Sequence, residues 1–345
     1  MTEVEISDPV SLAIVSPARW GRLLLDAVEK SSSLVFAGVF SRSAENRDDI
    51  VNRYGGKSYD NYEALLDDPE IKGVLLPTPH FLHHPQTIAA LKADKHVFVE
   101  KPMANTIEEC QEMKALAGEK DLVLAVGLQN RWVGSALKIK SMIDNRELGE
   151  IATATAALGA TLVPQYTVGE DWELDVDKIP GGPLDNLAVH QIDLLQFLLG
   201  PVKRVCGHVS HSLSPTKVPS MATASLEFEC GAVANIMTHQ VSAYVSNISI
   251  YGTKAAIHYK RSGQELLWEE ILDPVRAKHM KPEIKPLEWL GAENFTTALQ
   301  AELEDFGHCI RTGAKPKVGA DEGIASLRII RAIMESSQTG KHVEL

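Results

Sequence analysis

Apolar residues along the first 130 positions alternate between two rhythms. Short continuous apolar runs at Val10 to Ser16, Leu34 to Phe40, Gly73–Leu76, His96–Val99 and Leu122–Val126 read as strands buried on both faces. Between them, Arg19 to Lys30, Ala44 to Tyr54, Tyr62–Leu66, Pro85–Ala93 and Ile107–Gly118 carry helical spacing, as in Leu23, Leu24, Ala27 and Val28. The pair Gly55-Gly56 stops the second helix. Strands alternating with helices in this way imply βαβ units and a parallel sheet. Such sheets bind their ligands in the crevice at the strand carboxyl ends.

The rhythm changes after about residue 150. Ile151–Gly159 alternates loosely, and Met221–Cys230 and Val233–Gln240 read as a hairpin joined through Gly231. Val245–Tyr251 and Ala255–Tyr259 extend that pattern around Gly252-Thr253, which predicts an antiparallel sheet with one covered face. Within it, Leu184–Leu199 predicts a helix bounded by Gly181-Gly182-Pro183 and Gly200-Pro201. The acidic stretch Tyr166–Lys178 reads as a loop over a cleft, with Trp172 as either a ligand contact or a surface anchor. Glu293–Gly313 and Gly323–Thr339 are helical patterns, and the tail Lys341–Leu345 could add a strand.

The chain of 345 residues has room for two domains, and 44% hydrophobic content suits full cores. A net charge of −12 argues against nucleic acid or an anionic membrane as the main partner. No apolar run reaches the roughly 18 residues that span a bilayer, and Met1-Thr2-Glu3-Val4-Glu5 is not a basic signal-peptide start. Cys110, Cys206, Cys230 and Cys309 are scattered without metal-ligand spacing. They read as reduced thiols in a cytoplasmic protein, with no metal site.

Several residues carry candidate chemistry. Pro102 cannot continue a central strand and holds Lys101 extended, at the carboxyl end of the His96–Val99 run. Lys101 is therefore a candidate active-site lysine, the alternative being a solvated lysine at a strand end. The first strand–helix turn, Ser16-Pro17-Ala18-Arg19-Trp20-Gly21, has the spacing of a G-x-G-x-x-G phosphate loop but keeps only the third glycine. Serine and alanine are the smallest replacements, so a dinucleotide could still sit on the helix N-terminus. At the end of the second strand an acid would bind the ribose hydroxyls of NAD. The residues there, Ser41 and Arg42, instead suit the 2′-phosphate of NADP, which is favoured over NAD. On the Leu184–Leu199 helix, Asn186, His190 and Asp193 lie at i, i+4 and i+7 and share one face. Three polar groups on a buried helix need partners or a cleft.

With these pieces the chain resembles the Gfo/Idh/MocA oxidoreductase family, named for its glucose–fructose oxidoreductase and inositol dehydrogenase members. The resemblance rests on Arg19-Trp20-Gly21, Pro77-Thr78-Pro79-His80-Phe81-Leu82-His83, Glu100-Lys101-Pro102, Gly181-Gly182-Pro183-Leu184, Val189-His190-Gln191-Ile192-Asp193 and Gly252-Thr253. It implies an α/β protein: residues 1–130 form a dinucleotide-binding Rossmann domain with a parallel sheet. Residues 131–345 form a substrate and oligomerisation domain with an open, mostly antiparallel sheet, its C-terminal helices able to pack back on the first domain. By resemblance Thr78, Pro79, His80 and His83 lie along the cofactor, and Glu100 and Lys101 lie near the nicotinamide. Gln129 and Trp172 complete the candidate cofactor set. Asn186 stands where many members carry an aspartate. Asp185, one residue earlier and about 100° away around an α-helix, is not expected to replace it.

The implied enzyme moves a hydride between the nicotinamide of NADP or NAD and a secondary alcohol or ketone of a sugar, cyclitol or sugar derivative. His190 is the expected acid/base, Lys101 the group that stabilises charge on the reacting oxygen, and Asn186 the group that orients the substrate. Asp193 either orients His190 or serves structure. A homo-oligomer, dimer or tetramer, follows from the same resemblance. Two other readings stay open: a dinucleotide-binding regulator without turnover, and an NAD-dependent glycosidase acting through a 3-keto intermediate.

Overall fold

The computed structural model describes residues 9–271, 283–289 and 295–345. The chain divides into two compact units: residues up to Gln129 with Phe295–Ile324, and Asn130–Asn294 with Ala325–Leu345.

In the first unit β1 (Val10–Val15), β2 (Leu34–Phe40), β3 (Lys57–Tyr59), β4 (Gly73–Leu76), β5 (His96–Glu100) and β6 (Leu124–Gly127) form a parallel sheet. Its order is β3-β2-β1-β4-β5-β6. The direction of winding reverses between β1 and β4, the switch point at which open α/β sheets bind ligands. Helices α1 (Arg19–Glu29), α2 (Ala44–Tyr54), α3 (Tyr62–Leu66), α4 (His80–Lys92) and α5 (Ile107–Glu119) make the connections. Apart from the short, exposed edge strand β3, the strands are mostly apolar and largely covered: Leu12, Ile14, Val39, Leu75 and Phe98 are all buried. A late helix, α8 (Phe295–Thr312), completes this core by adding Leu299, Leu303 and Phe306. The ring of Phe306 lies 5.9 Å from that of Phe98.

The second unit holds α6 (Gly134–Asp144), α7 (Val189–Leu199), most of α9 (Ala320–Thr339) and a nine-stranded sheet. Its strands are β7 (Ile151–Thr161), β8 (Val202–Ser210), β9 (Met221–Phe228), β10 (Val233–His239), β11 (Val241–Gly252), β12 (Ala255–Lys260), β13 (Glu265–Glu270), β14 (Ile284–Pro286) and β15 (Val343–Glu344). They run in the order β14-β13-β12-β11-β7-β10-β9-β8-β15. Only β7 and β10 pair in parallel; the other neighbours are antiparallel. The β9–β10 hairpin turns through Gly231 at φ 89°, a left-handed conformation that glycine adopts without strain. Along β10 buried and exposed positions alternate, so one face is covered and the other is not. Ser336 and Ser337 of α9 accept the Gly207 and Val209 N–H groups, at 2.9 and 2.8 Å, and so pin α9 to β8.

Several elements depart from the expectation. The fourth helix begins at His80, so Pro85, read as its first residue, lies in its second turn. The strands β3, β8, β13 and β14 and the helix α6 have no counterpart in the sequence reading. In β8, Arg204, Gly207 and His208 interrupt the apolar positions and hide the period of two. Of the helical pattern Glu293–Gly313, the first two residues lie outside the described residues. Among the described residues, no helix is long and apolar enough to cross a membrane.

Candidate active site

The carboxyl end of the first sheet collects most of the predicted cofactor residues. Ser16 follows β1 at φ 50°, the left-handed region that the first glycine of a phosphate loop normally occupies. Gly21 is needed for packing: a Cβ there would lie 2.8 Å from Pro17 Cβ and 3.0 Å from Pro77 Cγ. The N-terminus of α1 has no side-chain cap and no acid in its first turn, and Ala18 and Arg19 are exposed. Its first N–H groups and dipole thus face outward, as a pyrophosphate requires. Ser41 is buried and Arg42 exposed. Two residues that the sequence reading missed hold this corner. Arg47 donates to the Ser41 carbonyl at 2.7 Å, and Asn46 donates to the Ser41 hydroxyl at 3.2 Å. Gln129 is buried, and its amide oxygen has no hydrogen-bond partner among the described residues, leaving an acceptor for a ligand N–H. These features fit a dinucleotide.

Lys101, half-buried, is the first residue beyond β5 and is braced on both sides. The Glu100 carboxylate accepts the Trp20 indole N–H at 2.6 Å and the Lys101 main-chain N–H at 3.2 Å. The His83 ring, fully buried, lies 2.8 Å from the carbonyls of both Pro102 and Thr78. Burial pushes this imidazole down to about 4, against the pull of the two carbonyls. At neutral pH it therefore carries one N–H and donates to one carbonyl at a time. Glu100 and His83 thus bond to groups of the protein on either side of Lys101. Thr78, also buried, donates to Gln86 Oε1 at 2.7 Å, and the His80 ring packs 5.8 Å from that of His83. Pro79 caps α4.

In the second unit the predicted Leu184–Leu199 helix is two pieces. Leu184–Ala188 forms a π-helical turn, in which the Val189 N–H reaches back to Leu184 O, and α7 follows. Such wide turns recur at functional sites. Asp185 anchors this one. Its carboxylate accepts Arg331 Nη1 at 2.8 Å and the Gly181 N–H at 2.7 Å, and it is fully buried. A Cβ on Gly181 would meet that carboxylate at 2.7 Å, which accounts for the first glycine of the pair. Asn186 and His190 are half-buried on the same segment. Asp193, by contrast, is buried and chelated by Arg131 through three contacts of 2.7–3.0 Å. The guanidinium also lies over the Phe197 ring. Asp193 therefore serves a buried ion pair, and removing either partner should cost about 3–5 kcal/mol. Trp172 is half-buried in a 3₁₀ turn of the acidic loop. Tyr166, at the start of that loop, is half-buried, and burial pushes its hydroxyl up to about 12. Among the described residues, no group of three or more His, Cys, Asp or Glu side chains could hold a metal ion.

One titration follows from this geometry. Burial pushes the Glu100 carboxyl up from 4.5 to about 7, against the lowering effects of Trp20 and Lys101. Because the folded protein holds this proton to higher pH than the unfolded chain, the contribution to stability is complete below about pH 4. It is lost as pH rises through about 7, a change on the order of 3 kcal/mol. Denaturant unfolding between pH 5 and 8 should show this decline in the wild type. It should be absent in Glu100→Gln, and an identical decline in both proteins would assign it to other groups.

Both halves of the chain match one family. Residues 12–128 match the model described as "Oxidoreductase family, NAD-binding Rossmann fold", and residues 140–345 match "Oxidoreductase family, C-terminal alpha/beta domain". The 1,5-anhydro-D-fructose reductase of Ensifer adhaerens is 28% identical over 314 residues, 89% of this chain and 90% of the relative. The scyllo-inositol 2-dehydrogenase (NADP(+)) of Bacillus subtilis strain 168 is 28% identical over 302 residues, 82% and 81% of the two chains. Among solved structures, an oxidoreductase from Desulfitobacterium hafniense superposes with a TM-score of 0.89 at 28% identity and covers 98% of each chain. The chain belongs to the Gfo/Idh/MocA oxidoreductase family, with an N-terminal NAD-binding Rossmann domain and a C-terminal α/β domain.

Proposed function

We propose that the protein is an NAD(P)-dependent dehydrogenase or reductase acting on a secondary alcohol or ketone of a sugar, cyclitol or sugar derivative. The observation that carries this reading is Lys101, held by Glu100 and His83 at the carboxyl end of β5 in a sheet of dinucleotide-binding topology. The sugar and cyclitol substrates in the names of the relatives agree with it. The bound nicotinamide supplies the hydride chemistry. The protein's residues manage one proton and one developing charge. His190 takes the proton from the hydroxyl during oxidation and returns it during reduction. Lys101 stabilises negative charge on the reacting oxygen. Asn186, which cannot take up a proton, orients the substrate through hydrogen bonds.

NADP is the favoured cofactor. Support comes from the exposed Arg42 beside the buried Ser41 and from the absence of a carboxylate among residues 41–43. The NADP(+) in the name of the Bacillus subtilis relative points the same way.

Lys101→Met and His190→Ala should each lower kcat by at least about 100-fold on a sugar or cyclitol substrate. His190→Ala should remain folded and still bind cofactor. Wild-type turnover in both variants would remove this assignment. Nicotinamide fluorescence titrations should show tighter binding of NADPH than of NADH. Arg42→Ala should weaken NADPH about tenfold and change NADH less than about twofold, as expected for a lost charge-assisted contact. Equal weakening of both would remove Arg42 from the phosphate site.

A further inference from the structure

We infer that Asn46 is a positioning residue for cofactor choice. By donating to Ser41 it leaves the Ser41 hydroxyl hydrogen for the cofactor, which favours the 2′-phosphate of NADP over the free ribose hydroxyl of NAD. The inference rests on the reading that the end of β2 meets the adenosine ribose.

Asn46 lies half-buried in the first turn of α2, against the segments that follow β1 and β2. Those segments already meet: the Ser16 N–H donates to Phe40 O at 2.6 Å, one residue before Ser41. The Asn46 side-chain nitrogen donates to Ser41 Oγ at 3.2 Å and to Pro17 O at 3.4 Å. Its side-chain oxygen accepts Arg22 Nη2, from α1, at 3.0 Å. A guanidinium only donates and a carbonyl only accepts, so both ends of the amide are fixed. The oxygen must face Arg22, and the nitrogen must face Pro17 and Ser41. The main-chain N–H of Asn46 donates to Ser43 Oγ at 3.1 Å, which makes Ser43 the cap of α2.

The polarity of these bonds decides what residues 41–43 can offer. A hydroxyl that accepts from an N–H cannot give its own hydrogen back to that group. Both serines beside Arg42 are therefore held as acceptors by Asn46, and each keeps a hydrogen to donate elsewhere. For Ser41, which is buried, that hydrogen needs an acceptor. Arg42 carries donors only. The segment as a whole thus presents donors, and a phosphate monoester presents acceptor oxygens and charge to match them. A ribose hydroxyl also has a hydrogen of its own to place, the need that an acid meets at this position in NAD-binding sheets. Asn46 sets the polarity of Ser41 without contributing a charge.

The test is a double-mutant cycle of Ser41→Ala and Asn46→Asp, read as Kd for NADPH and NADH from nicotinamide fluorescence. Asn46→Asp keeps the shape of the side chain and an acceptor for Arg22, but it accepts where the amide donates and so captures the Ser41 hydrogen. Ser41→Ala should weaken NADPH about tenfold in the wild-type background, the size of one charge-assisted hydrogen bond, and NADH less than about twofold. In the Asn46→Asp background the same change should cost NADPH less than about twofold. An equal cost in both backgrounds would overturn the inference. Asn46→Leu removes the donor without adding charge, and it should lower the NADPH-to-NADH affinity ratio about threefold. Equal weakening of both cofactors would mark Asn46 as a merely structural residue and overturn the inference. A wild type that binds NADPH no tighter than NADH would remove the NADP reading and the inference with it. A preference for NADPH that survives in both Asn46 variants would keep that reading and overturn the inference alone.

Discussion

A carboxylate buried at the end of a strand must be neutralised or matched by donors, and Glu100 is placed so that both are available. The Trp20 indole and the Lys101 N–H satisfy it, while burial raises its proton affinity into the neutral range. This contact joins the start of α1 to the end of β5, the two places where the sheet offers ligand-binding groups. His83 braces the chain from the other side through Pro102 O and Thr78 O. The main chain on either side of Lys101 is held by these two buried side chains.

The second unit solves a related problem with a different device. Asn186 and His190 must be held on a helix that is otherwise buried, and the π-helical turn before α7 sets their spacing. That turn is locked by Asp185, whose carboxylate is shared between Arg331 and the Gly181 N–H. Asp193 is committed in the same way to Arg131. Asp185 and Asp193 therefore help to build the segment that carries Asn186 and His190.

The parallel sheet was legible because its strands are continuous apolar runs separated by periodic helices. The place of Lys101 just beyond a strand end was legible because proline follows it. The third glycine of the phosphate loop also kept its packing role, although Ser16 had to adopt the glycine conformation at the first position. What the sequence hid was long-range. Asp185 is paired with a residue 146 positions away, and nothing local distinguishes it from Asn186. The π-helical turn leaves no clear mark on a helical pattern, so spacing that assumes an α-helix grouped Asp193 with Asn186 and His190. Glu100 and His83 lie in motifs that suggest ligand contacts, and the sequence does not show the hydrogen bonds that tie them back into the protein.

The claim of hydride transfer to a sugar-like carbonyl is tested most directly by isotope. The protein would be given NADPH carrying deuterium at C4 of the nicotinamide, on the face it uses, with a panel of keto-sugars and keto-cyclitols. The product alcohol should carry one deuterium at the reduced carbon for each cofactor oxidised. Cofactor binding with no label in any product would contradict the account and favour a dinucleotide-binding regulator. Release of sugar from a glycoside without net cofactor oxidation would contradict it in favour of bond cleavage.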